Sequence, residues 1–289
     1  MSILADKNTR IIVQGITGTQ ASFHVKRSIE GGTNIVGGVT PGKGGSFHLG
    51  VPVFNTVKEA VAATGATTTV IFVPAAAAKA AIIEAAEAEL ELAVCVTRNI
   101  PTRDMLEVRN ILKNHKTKLI GPNTPGLITP GEARLGFFPE DIHRPGHIGI
   151  VSRSSTLTYE AVLESNRAGM GQSTVIGLGD DIVIGMDFVE ALQEFINDEK
   201  TKAIIIIGQI DGTFEEKCAQ WYQQQRRKPV ICFLAGNSFS GNEKIGYAGD
   251  IITHGRITPE SKNRYLADAG FIMVEQINQI HIELQKLNL

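Results

Sequence analysis

Cysteine is scarce in this chain. The 289 residues hold three, Cys95, Cys218 and Cys232, at spacings that fit no metal motif. Cys95 and Cys232 fall in apolar, strand-like runs, which predicts buried, reduced thiols and a reducing compartment. No metal site is expected. Net charge is also small, −2 from 28 basic and 30 acidic residues, which removes the electrostatic case for nucleic-acid or membrane binding. The one basic run, Arg226-Arg227-Lys228, is short and suits a helix C-terminus. Long apolar runs are missing: none reaches about 18 residues, and MSILADKNTR has no apolar core of a signal peptide. The expected compartment is the cytoplasm, or the mitochondrial matrix if a presequence has been removed.

What is abundant is short apolar runs alternating with helical patterns. RIIVQG (10–15), NIVGGV (34–39), TTVIFVP (68–74), LAVCVT (92–97) and KLIGP (118–122) are near-continuous in aliphatic residues, as strands covered on both faces are. Helices are predicted over 20–30, 57–64, 76–90 and 102–115, which gives a doubly wound α/β unit. The stretch 121–149 then holds five prolines and six glycines, the punctuation of a linker or an irregular crossover. Alternation resumes with HIGIVSR (147–153), STVIGLG (173–179), KAIIIIGQI (202–210), PVICFLAG (229–236) and FIMVEQ (271–276), with helices over 157–168, 186–197, 214–227, 260–269 and 277–287. A chain of this length suits two α/β domains in tandem, 1–125 and 147–289, joined by a linker over 126–146.

VQGITGTQASFH (13–24) leaves the first strand and opens the first helix. Gly15 and Gly18 let backbone approach a ligand, and the free N–H groups of the helix start suit an anion. The spacing is not the dinucleotide G-x-G-x-x-G, and a plain glycine turn is the competing reading. After the second strand, VTPGKGG sets Lys43 among Gly42, Gly44 and Gly45. A dinucleotide fold would place an acid near here, so a lysine favours a phosphate-bearing ligand, against an exposed surface lysine. VTRNIP (96–101) and GPNTPG (121–126) follow later strands and should reach the same sheet edge.

The second half repeats the logic. In SRSSTLTYE, Ser154, Ser155 and Thr156 can cap a helix and aim N–H groups at an anion, with Tyr159 and Glu160 in its first turns. An ordinary N-cap is the competing reading. GQIDG (208–212) and GNEKIGYAGD (241–250) follow later strands and should gather beside it.

Taken together, these motifs resemble the α subunit of succinyl-CoA synthetase (succinate–CoA ligase, nucleoside-diphosphate-forming) nearly end to end: GITGTQ, GGVTPGKGG with HLG and PVFNTV after it, IPTRDM, PGEARLG and GIVSRS-TLTYEA. The resemblance implies an N-terminal Rossmann-like domain and a C-terminal flavodoxin-like domain, each a mostly parallel sheet covered by helices. It implies coenzyme A on Gly15, Thr17, Gly18, Thr19, Gln20, Pro41, Lys43, Val73, Pro74, Val96, Thr97, Arg98 and Asn123. It implies a histidine in the second domain that relays a phosphoryl group, near Ser154, Ser155, Thr156 and Tyr159, to a dicarboxylate. ATP or GTP with Mg would bind on a separate β-type subunit, in a heterodimer or heterotetramer; no P-loop or ATP-grasp pattern occurs here.

The chain departs from the family pattern chiefly at the relay. GHAGA reads G-Tyr247-AGD, so tyrosine stands in the histidine's place. GEIGG reads GQIDG, with Gln209 for the glutamate partner and Asp211 for a glycine. Ser155 replaces a glycine, GGDPIPG reads GDDIVIG (179–185), and Arg98 replaces a glutamate. A phenol with pKa near 10 needs a base to attack phosphorus. Asp211 and Asp250 add charge that disfavours an incoming phosphate. His254 is the only histidine nearby. The expectation is a ligase subunit that keeps CoA binding with impaired phosphoryl transfer. The alternative is a catalytically silent CoA-binding paralogue, or a redesigned variant, acting as a binding or regulatory module.

Overall fold

The computed structural model describes residues 3–225, 228–236 and 259–289, and the backbone alone at 245–247 and 250–252. Two compact units are formed, Met1–His143 with Thr174–Met186, and Arg144–Ser173 with Asp187–Leu289. Among the described residues no helix is long and apolar enough to cross a membrane.

The strands are β1 (Ile11–Gln14), β2 (Ile35–Val39), β3 (Phe47–His48), β4 (Val51–Phe54), β5 (Thr68–Ile71), β6 (Leu92–Cys95), β7 (Lys118–Ile120), β8 (Gly126–Thr129), β9 (Ala133–Gly136), β10 (Pro145–Ser152), β11 (Gln172–Gly177), β12 (Ala203–Gln209), β13 (Val230–Ala235), β14 (Ile245–Tyr247), β15 (Asp250–Ile252) and β16 (Ile272–Val274). The helices are α1 (Thr19–Glu30), α2 (Val57–Thr64), α3 (Ala75–Glu87), α4 (Thr102–Leu112), α5 (Ser155–Arg167), α6 (Phe188–Asn197), α7 (Phe214–Gln225), α8 (Pro259–Asp268) and α9 (Ile280–Lys286).

The first sheet runs β3-β4-β2-β1-β5-β6-β7. β1 pairs in parallel with β2 and β5, and β5, β6 and β7 continue in parallel. β1 is thus the strand at which chain order reverses, and the loops after β1, β2, β5, β6 and β7 open on one carboxyl edge. β1, β5 and β6 are buried along their whole length, which explains their continuous aliphatic sequence. One core beneath them joins Ile12, Ile71, Ala93 and Cys95 to Ala78, Ile82, Met105 and Val108 of α3 and α4. The alanines of α3 let that helix lie close on the sheet, so a helix of small residues packs well here.

The second sheet runs β16-β13-β12-β10-β11-β8-β9. β10, β12, β13 and β16 are parallel, so the segments after β10, β12 and β13 leave at one edge. β8 and β9 form an antiparallel pair inside the glycine- and proline-rich stretch, with Leu127 opposite Leu135. The β3–β4 hairpin is another addition to the pattern read from sequence. At two to four residues, each of these strands is too short to show a period. β14 and β15 form a two-stranded hairpin with Tyr247 opposite Asp250.

Candidate functional site

In the first unit the glycine turn has the form an anion needs. Gly15 has φ +78°, and a Cβ there would meet the Phe72 carbonyl oxygen at 2.7 Å. Its N–H donates to Val39 O at 2.7 Å, and Gly18 N–H turns back to Gly15 O at 3.0 Å. Gly18 is the N-cap of α1, no side chain caps the helix, and its first turn holds no acidic residue. The first-turn N–H groups and the positive end of the helix are left for an external anion. Gly18, Thr19 and Gln20 are exposed there.

Lys43 reaches this turn. Its Nζ donates to Thr17 Oγ1 at 3.1 Å, and Thr17 Oγ1 lies 3.3 Å from Thr40 Oγ1. His48 Nε2 and Ser22 Oγ, 2.7 Å apart, tie the β3 end of the same loop to the first turn of α1. Pro41 is exposed within that loop. The other loops join in series: Thr97 Oγ1 donates to Val73 O at 2.6 Å, and Asn123 N–H to Thr97 O at 2.9 Å. Asn123 Nδ2 in turn donates to Asp181 Oδ1 at 2.9 Å. Pro74 begins α3, a second helix without a side-chain cap, and Arg98 is exposed. Val96 is buried, and behind it the Cys95 thiol is pushed up to about 12 by burial, far from nucleophilic use. The residues anticipated for a phosphate-bearing ligand therefore share one edge. They supply backbone N–H groups, hydroxyls and one ammonium, a donor set that fits a diphosphate.

Sequence reasoning missed Asn55 and Asp181 in this unit. Asn55 accepts from Gly42 N–H and Gly44 N–H. The signal was present in the motif PVFNTV, as the polar residue directly before a helix cap.

In the second unit Ser154 is the N-cap of α5 and its hydroxyl accepts from Leu157 N–H at 3.3 Å. The ordinary cap is therefore real, and it satisfies one N–H of that helix. Ser152 Oγ braces the turn by donating to Ser154 O at 2.8 Å. Ser155 and Tyr159 are half-buried and Thr156 exposed beside it. Arg153, 4% exposed, was not anticipated. Its N–H donates to Ile207 O and its guanidinium lies 4.9 Å from the Phe214 ring centre, which brings the SRSST and GQIDG turns together. Gln209 is buried, and its N–H donates to Glu215 Oε1 at 2.9 Å. Glu215 Oε2 accepts from Lys262 Nζ at 2.8 Å, with both side chains at 0% exposure. The same ammonium donates to Asp211 O and Gly212 O at 3.3 and 3.2 Å. Glu216 Oε2 stands 3.2 Å away, without hydrogen-bond geometry. The side chains of Tyr247 and Asp250, and all of His254, lie outside the described residues.

The CoA binding domain family matches residues 6–99, and the CoA-ligase family residues 151–272. The chain is 49% identical over 270 residues to the succinate–CoA ligase [ADP-forming] subunit alpha of Staphylococcus aureus strain Mu50, covering 93% of this chain and 89% of the relative. The subunit alpha of Staphylococcus epidermidis strain ATCC 12228 matches to the same extent, 49% over 270 residues, 93% and 89%. Among solved structures, ATP citrate lyase from Methanothrix soehngenii in complex with citrate and coenzyme A superposes with a TM-score of 0.86 at 21% identity, over 99% of this chain and 50% of that one. The apo dinucleotide-forming acetyl-coenzyme A synthetase 1 of Ca. Korarchaeum cryptofilum gives 0.77 at 18%, over 95% and 60%. This chain thus spans about half to three fifths of those longer chains, and at such identities they speak to the fold alone. The level and extent of identity to the curated relatives decide the matter: the chain belongs to the family of alpha subunits of ADP-forming succinate–CoA ligase.

Proposed function

We propose that this chain binds coenzyme A in its first unit and serves as the α-type subunit of a nucleoside-diphosphate-forming succinate–CoA ligase, with its own phosphoryl relay impaired. The observation that carries the reading is the carboxyl edge of the first sheet, where an uncapped helix start, Lys43 and the 73, 97 and 123 loops converge. On this reading the N–H groups of Thr19 and Gln20 and the Lys43 ammonium hold phosphate oxygens, Gly15, Thr17 and Gly18 shape the turn, and Pro41 borders it. Val73, Pro74, Val96, Thr97, Arg98 and Asn123 line the path of the pantetheine arm. Coenzyme A, when bound, supplies the thiol that takes the acyl group. Residues 1–125 make up the CoA-binding domain and 147–289 the ligase domain, with 126–146 between them.

ATP or GTP with Mg would come from a β-type partner in a heterodimer or heterotetramer, and a dicarboxylate would sit near Ser154, Ser155, Thr156 and Tyr159. The bacterial relatives favour the cytoplasm. At position 247 a phenol replaces the imidazole, and at 209 an amide replaces a carboxylate. Neither accepts a proton near neutral pH, so the pair lacks the base that a relay needs. These two positions also favour the second reading, a CoA-holding regulatory subunit. Titration of the full chain with coenzyme A by calorimetry tests the common part. Binding is expected, and Lys43→Ala should weaken it about tenfold, the worth of one charge-assisted contact. Absence of binding by the unaltered chain would overturn the proposal.

A further inference from the structure

The loop that carries Lys43 is glycine-rich, and such a segment loses much conformational freedom when it is held in one shape. It must therefore be held by something. Its two glycine N–H groups on either side of Lys43 converge on one atom: Gly42 N–H and Gly44 N–H donate to Asn55 Oδ1 at 2.9 and 3.0 Å. A carboxamide oxygen has two lone pairs, and both are used. Asn55 is itself fixed. Its N–H donates to Glu59 Oε2 at 3.0 Å, and Glu59 N–H donates to the Thr56 cap of α2 at 3.1 Å. The start of α2 thus serves as a rigid post for the loop. Gly44 is matched to it, because a Cβ at that position would overlap the Asn55 carboxamide. With Gly42 and Gly44 both anchored, the Lys43 backbone is set and its ammonium is delivered to Thr17 Oγ1.

We propose that Asn55 is a positioning residue that presents Lys43 to the phosphate-bearing ligand of the first unit; the proposal rests on the CoA-binding reading above. An asparagine suits the task because it accepts both N–H groups without placing negative charge beside an anion. Its function is distinct from that of a general stabiliser, since its effect on binding must pass through the lysine.

The test is calorimetric titration of the full chain with coenzyme A, for the unaltered protein, Asn55→Ala, Gly44→Ala, Lys43→Ala and the doubles, at two salt concentrations. Asn55→Ala should weaken binding about tenfold and flatten the salt dependence as Lys43→Ala does. In the Lys43→Ala background, Asn55→Ala should cost less than about twofold more, because coupled sites are non-additive. Gly44→Ala should match Asn55→Ala alone and cost less than about twofold in its background. Thermal unfolding of each variant separates a folding loss, which would weaken binding equally with and without Lys43. Unchanged binding by Asn55→Ala, or multiplying effects in the double, would overturn the inference while leaving CoA binding intact. Failure of the unaltered chain to bind would overturn both.

Discussion

A methyl group at residue 15 would stand 2.7 Å from the Phe72 carbonyl oxygen, on a backbone at φ +78°. Gly15→Ala should therefore cost about 1–3 kcal/mol in urea unfolding and weaken CoA binding as well. His143 makes a second prediction at this scale. It is buried, its Nε2 has no hydrogen-bond partner, and burial pulls its pKa down from 6.5 to about 4. A depressed value means the folded state favours the neutral ring. That stability is present above pH 6.5 and is lost as pH falls towards 4, by about 3 kcal/mol in all. His143→Gln should flatten the pH dependence of unfolding in that window; an unchanged slope would contradict the assignment. Lys43, Gly15 and Ser154 could be read from the sequence because their neighbours in the chain announce a turn or a cap. Asn55, Arg153 and Lys262 could not be assigned roles, because what they hold is brought near by folding: Lys262 meets Glu215 across 47 positions.

Elements behave likewise. The aliphatic strands β1, β5, β6, β12 and β13 were legible as continuous runs because both faces are covered. β3, β8 and β9 were not, since short antiparallel pieces punctuated by glycine and proline carry no period of their own. One contact between elements has a sharp energetic consequence. Lys262, from α8, and Glu215, from α7, are both wholly buried, and together they fix the turn after β12 through Gln209 N–H and two carbonyls. Lys262→Met should leave the buried Glu215 carboxylate without its counter-charge and cost about 3–5 kcal/mol in denaturant unfolding. Lys262→Met with Glu215→Leu should recover most of that loss, since replacing a whole buried pair is often neutral. A double variant as unstable as the single one would show that the turn, rather than the charge balance, dominates.

For the whole molecule, two tandem α/β units were legible from motif order alone. What the order could not show is how completely each edge is built. The edge around Gly15 and Lys43 is tied together by hydrogen bonds, which supports the proposed phosphate-bearing ligand there. At the second edge the SRSST cap and the Lys262 clamp are in place, while the positions proposed for the relay carry Tyr247 and Gln209. The central claim is thus that the chain holds coenzyme A and does not pass a phosphoryl group through itself. The most direct measurement is incubation with ATP labelled on its γ-phosphate and a β-type subunit from the same source, followed by a search for acid-labile, base-stable label on this chain. The account predicts no such label. Label with that stability would mean that a histidine of this chain still relays phosphate, and would contradict the claim.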